Sequence, residues 1–73
     1  MSEHTYKLVE LVGTSEQGFA EAVRNGVKRA AETLPNLDWF EVTSIRGQIV
    51  GDSVRYYQVT MKVGARLEEG EGL

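Results

Sequence analysis

From Val54 to Leu67 the chain alternates. Tyr57, Val59, Met61, Val63 and Ala65 form one set, and Tyr56, Gln58, Thr60, Lys62, Gly64 and Arg66 the other. A two-residue period is the pattern of a strand with one buried and one solvated face. Any sheet that contains this strand needs cover on its apolar side. In a chain of 73 residues that cover must be a single element, and the pattern upstream supplies one helix.

Tyr6 to Val12 mixes apolar and β-branched residues with Lys7 and Glu10 and predicts a first strand, which stops at Gly13-Thr14-Ser15. Thr14 and Gln17 have capping-box spacing. The stripe Phe19, Val23, Val27, Ala30, Ala31, Leu34 then recurs at helical intervals and predicts a helix to about Leu34, ended by Pro35-Asn36. Gly18 and Gly26 inside it would each cost about 1 kcal/mol relative to alanine, so packing must hold the helix on the sheet. Leu37 to about Ile49 predicts a second strand, and Val50-Gly51-Asp52-Ser53 a loop leading into the third. A helix of about 20 residues runs about 30 Å and carries the chain back, so strands one and two point the same way. Placing strand three between them gives a three-stranded antiparallel sheet of order 1-3-2. The fold class is α+β, a βαββ unit on one long helix, in a single domain over 1–73. Residues 68–73, Glu68-Glu69-Gly70-Glu71-Gly72-Leu73, are expected to be a mobile acidic tail.

A domain this short buries a modest share of its unfolded surface and usually needs a staple. There is no cysteine and one histidine, His4, so disulfides and a metal site are not expected and oligomerisation is the staple that remains. The net charge of −3, with basic residues scattered, argues against a nucleic-acid surface. No apolar run approaches the roughly 20 residues of a membrane span, and the polar start is no signal peptide, so the expected place is the cytoplasm. No nucleophile–base set can be assembled from one remote histidine, and no Gly-rich phosphate loop is present, so an enzyme is not expected.

The informative residue is the one tryptophan, in the run Leu37-Asp38-Trp39-Phe40-Glu41-Val42-Thr43-Ser44-Ile45-Arg46-Gly47. If Phe40 and Val42 face the core, alternation sends Trp39, Glu41, Thr43 and Ile45 to the opposite face. Gln58 on strand three is also on that face, and the two could share one pocket: an indole is a stacking plane, and a carboxamide pairs with an imide edge. Arg46, seven residues beyond Trp39, falls on the other face unless a bulge intervenes, for which Gly47 is the candidate. Each residue also has a plainer reading. Trp39 suits an oligomer anchor, Gln58 and Glu68 are ordinary surface groups, and Arg46 and Arg66 are commonly solvated or salt-bridged. Taken alone, these residues define an oligomeric α+β binding module, with a ligand-free structural or interaction module as the alternative.

Tyr6-Lys7-Leu8-Val9-Glu10-Leu11-Val12-Gly13-Thr14-Ser15, Leu37-Asp38-Trp39-Phe40-Glu41-Val42 with Ile45-Arg46-Gly47, Tyr57-Gln58-Val59, and Val63-Gly64-Ala65-Arg66-Leu67-Glu68 occur in order in this chain. Together they resemble the dodecins, small flavin-binding proteins, over nearly its whole length. The resemblance implies a hollow homododecamer with two stacked flavins on each two-fold axis, bracketed by two copies of Trp39. It implies that Gln58 bonds the pyrimidine edge of the flavin and that Arg46 lies near the ribityl or phosphate, which favours FMN over riboflavin. It places Arg66 and Glu68 near the site, and Lys7 and Arg29 at a second surface that takes coenzyme A in some members. With both flavin faces occupied, the implied function is flavin storage, buffering and photoprotection.

Overall fold

The computed structural model describes residues 3–68. Four elements follow one another: β1 (Tyr6–Ser15), α1 (Phe19–Ala31), β2 (Leu37–Val50) and β3 (Ser53–Arg66). The strands form one sheet of order β1-β3-β2, antiparallel throughout, as the alternation and the crossover length predict. The tail over 69–73 lies outside the described residues.

The first boundary differs from the expected one. Thr14 is not a helix cap, because it is paired with Gln58 in the ladder between β1 and β3, which runs on to Ser15. The Ser15 hydroxyl accepts a hydrogen bond from the Gln17 amide at 2.9 Å, turning the chain, and Gly18 occupies the N-cap position with no side-chain cap. Gly18 is therefore outside the helix, and only Gly26 carries the helical cost of glycine. The helix also stops at Ala31, short of Leu34, with Thr33 and Leu34 amides both closing on the Ala30 carbonyl. Asn36 then takes a left-handed φ of 61° and is held by a hydrogen bond that its side-chain amide donates to the Arg66 carbonyl at 3.3 Å.

The hairpin loop is also tighter than expected. Val50 pairs with Ser53, leaving Gly51 and Asp52 as a two-residue loop. Gly51 has φ 65°, as the first position of a type II′ hairpin turn requires.

The core lies between α1 and the centre of the sheet: Ala22, Val59, Met61 and Val63 are fully buried, with Val9, Leu11, Val23, Val27, Leu34 and Leu37 packed around them. Close approach depends on two facing glycines. A methyl on Gly13 would collide with the Ala22 carbonyl, and one on Gly26 would meet the Met61 methyl at 2.7 Å. The Asn25 amide donates to the Thr14 carbonyl at 3.0 Å and fixes the helix along β1.

The helix was expected to cover the whole apolar face, and it covers only part. Thirteen helical residues span about 20 Å, whereas a 14-residue strand spans about 46 Å. The helix packs chiefly on β1 and β3. On the same side of β2, Phe40, Val42, Ile45 and Ile49 stay exposed, as does Val54 at the hairpin end.

Candidate functional site

The ladder registers place the side chains of the face opposite α1 in rows across the sheet. Tyr6 is level with Arg66, then Leu8, Gly64 and Trp39, then Glu10, Lys62 and Glu41, then Val12, Thr60 and Ser44, and last Thr14, Gln58 and Arg46. Trp39, Gln58, Arg46 and Arg66 therefore share one open face.

Arg46 reaches that face through a bulge, though not at Gly47. Val42 pairs with Met61 and Ser44 with Thr60, so Thr43 is the extra residue, and its hydroxyl donates to the Thr60 carbonyl at 3.3 Å. One inserted residue reverses the alternation beyond it. Ile45, expected beside Trp39, instead pairs with the buried Val59 on the helix side. Ser44 and Arg46 take the places that simple alternation gave to Thr43 and Ile45.

At the other end the indole of Trp39 lies over Gly64, whose missing side chain makes the space: a methyl there would fall within the indole ring. Leu8, on the far side of Gly64, contributes a half-exposed apolar neighbour. The indole remains 41% exposed, so one side is seated on the sheet and the rest is open.

Tyr6 completes this end, and its part in the site was not legible from pattern alone. Its ring centroid is 6.1 Å from that of Trp39 at an interplanar angle of 54°, within the range of favourable aromatic pairs. Its hydroxyl donates to Asp38 Oδ2 at 2.9 Å. That hydrogen bond, with some desolvation and the carboxylate charge, holds the phenol above its ordinary value of 10.0, and the nearby Arg66 opposes the shift. Asp38 can reach Tyr6 because it is itself the extra residue of a second bulge, between Leu37 and Trp39. The signal in the sequence was an acid beside the tryptophan, without a reason to tie it to residue 6.

Trp39 and Gln58 do not meet within one chain. Gly64 and Gln58 are six positions apart on β3, about 20 Å along a strand, with the Glu10-Lys62-Glu41 row between them. The open face thus has an aromatic end and a carboxamide–guanidinium end. Glu68 follows Leu67, whose amide donates to the Thr5 carbonyl just beyond the aromatic end. Lys7 pairs with Ala65 and so belongs to the helix side. Arg29 lines a groove of about 400 Å³ between α1 and β1 and makes an exposed ion pair with Glu32. Among the described residues, no helix is long and apolar enough to cross a membrane.

The family model described as Dodecin matches residues 5–68. A dodecin from Thermus thermophilus is 56% identical over 64 residues, covering 88% of this chain and 93% of its own. Two solved dodecins superpose with TM-scores of 0.89. That from Streptomyces davaonensis is 54% identical, covering 93% of this chain and all of its own, and that from Streptomyces coelicolor is 57% identical, covering 96% and all of its own. With the βαββ topology, the seated tryptophan and a match over nearly every described residue, the chain belongs to the dodecin family.

Proposed function

We propose that this protein binds flavin, as FMN or riboflavin, in stacked pairs between the Trp39 indoles of neighbouring subunits of a homododecamer, and that it stores and buffers the cofactor and protects against its photochemistry. The observation that carries the reading is the indole of Trp39, seated on Gly64 and open on its remaining side. The residues fit a flat ring system with a polar edge: stacking on an aromatic side chain contributes roughly 1–3 kcal/mol per base, and Gln58 presents both donor and acceptor.

The distance between the ends of the open face determines how such a site is assembled. An isoalloxazine on Trp39 is out of reach of the same chain's Gln58, so the carboxamide comes from a second copy. A two-fold axis that reverses the strands brings the aromatic end of one subunit to the Gln58–Arg46 end of another and duplicates every contact. In that arrangement Gln58 bonds the pyrimidine edge, and the Arg46 guanidinium meets the ribityl phosphate, which favours FMN. Arg66 and Glu68 flank the stack. Lys7 and Arg29 are on the other side of the sheet, so coenzyme A, where it binds, would occupy a separate surface.

Bound flavin supplies a planar redox-active ring that oxidises indole when excited by light. Trp39, with its indole open on one side, would hold such a ring and would be the electron donor that quenches its emission. Two indoles enclosing a pair leave no approach for a substrate, so the reading is of a cytoplasmic store and not an enzyme.

Titration of FMN and riboflavin into the purified flavin-free protein, with flavin emission and assembly mass followed together, tests this. Quenching that saturates near one flavin per subunit on a dodecamer is expected. Unquenched emission on an intact oligomer would instead favour the ligand-free module, with Trp39 as an anchor.

A further inference from the structure

Tyr6, Asp38 and Trp39 make a cluster whose geometry exceeds what stacking requires. A stacking platform needs the indole and the space that Gly64 leaves for it. It does not need a phenol in ring contact with the indole, nor a carboxylate hydrogen-bonded to that phenol. We propose that these three residues form a proton-coupled electron relay, in which Tyr6 reduces an oxidised Trp39 and Asp38 takes the phenolic proton.

Each step has its geometry. The Tyr6 and Trp39 ring centroids are 6.1 Å apart, so an electron passes between neighbouring rings without an intermediary. The Tyr6 hydroxyl is 2.9 Å from Asp38 Oδ2, within the 2.6–3.2 Å over which a side chain takes a proton directly. A phenol is a poor electron donor while it keeps its proton, because a protonated phenoxyl is a strong acid. A base already in hydrogen-bond contact removes that obstacle. The bulge at Asp38 places the base there, since regular pairing would not have left residue 38 as the extra residue.

An indole radical cation, a phenol and a carboxylate become a neutral indole, a phenoxyl radical and a carboxylic acid. One electron moves from Tyr6 to Trp39, and one proton moves from Tyr6 Oη to Asp38 Oδ2. The relay resets when the electron that left the indole returns to the phenoxyl and the proton returns from Asp38.

The other tyrosines are placed differently. Tyr57 packs edge-on against Phe19 with centroids 4.9 Å apart on the helix side, and Tyr56 lies under Arg55 near the hairpin. Tyr6 alone has both a ring contact to Trp39 and a proton acceptor among the described contacts. His4 lies edge-on to Tyr6, with ring centroids 6.5 Å apart. The effect is to move oxidation off the residue that forms the binding platform before the indole can react irreversibly.

The inference rests on the flavin reading for its oxidant in the cell, a photoexcited flavin, but its test uses none. Pulse radiolysis in azide solution generates azidyl radicals, which oxidise indole ahead of phenol, in the full-length flavin-free protein. The expected result is decay of the indole radical band with matching growth of the tyrosyl band, at a rate independent of protein concentration. Tyr6→Phe, which keeps the ring, should abolish that growth and leave the indole radical long-lived. Asp38→Asn keeps the size of the side chain but removes the base, and should slow the transfer by about 10²-fold or more. Equal indole decay in wild type and Tyr6→Phe would overturn the relay, and an unchanged rate in Asp38→Asn would overturn the role of the carboxylate. Failure of the flavin titration would leave both results standing.

Discussion

Arg46 stands directly across from Gln58 on the antiparallel pair of β2 and β3, and the pairing depends on the single residue inserted at Thr43. Without that bulge the guanidinium would project to the helix side with Phe40 and Val42. The opposition gives one end of the open face both a neutral hydrogen-bonding group and a fixed positive charge.

A split between ligands follows from it. Hydrogen bonds to charged groups contribute about 1.5–3 kcal/mol, so Arg46→Ala should weaken FMN by about 10- to 100-fold and leave riboflavin nearly unchanged. Parallel fluorescence titrations with the two flavins measure this. Equal losses for both would detach Arg46 from the phosphate.

Gly64 sets the height of the indole above the sheet. Gly64→Ala places a methyl inside the ring position of Trp39, so the indole must swing out. The variant should show changed tryptophan emission without ligand and lose most flavin quenching. Overpacking of this kind typically costs about 1–3 kcal/mol, which chemical denaturation would register.

The two glycines at the helix–sheet contact should respond unequally. At Gly26 an added methyl meets chiefly the flexible ends of Met61 and Leu11, with the Gly13 backbone at 3.3 Å, and gains helix propensity of about 1 kcal/mol. At Gly13 it meets the backbone carbonyl of Ala22, which moves only with the helix. Gly13→Ala should therefore destabilise more than Gly26→Ala in urea denaturation.

Alkaline titration should reveal Tyr6. Its phenol is held above 10.0, first by the hydrogen bond to Asp38. The folded state thus keeps this proton longer than the unfolded chain. The stabilisation is complete below about pH 10 and declines as pH rises through the raised folded value. Ultraviolet titration should show a late-ionising phenol in the wild type that is lost in Tyr6→Phe.

The sequence disclosed the strands, the helix and their order because period 2 and period 3.6 are properties of the chain itself. It placed Trp39 and Gln58 on one face for the same reason. What alternation cannot disclose is an inserted residue: Thr43 and Asp38 look ordinary until their neighbours across β3 are known, and they decide where Ile45, Arg46 and the Asp38 carboxylate go. The capping box at Thr14 failed because the strand ladder with Gln58 outcompeted a local hydrogen bond. The separation between Trp39 and Gln58 along β3 also required the register, since sharing a face says nothing about position on it.

In the proposed assembly the strip of Phe40, Val42, Ile45 and Ile49 that α1 is too short to reach would be covered by neighbouring subunits, so dilution would act as a denaturant. A protomer whose apolar strip is completed only by its neighbours has no fixed melting temperature of its own, because mass action links its folded population to the amount of protein present. Thermal unfolding at successively lower concentrations should move steadily to lower temperature.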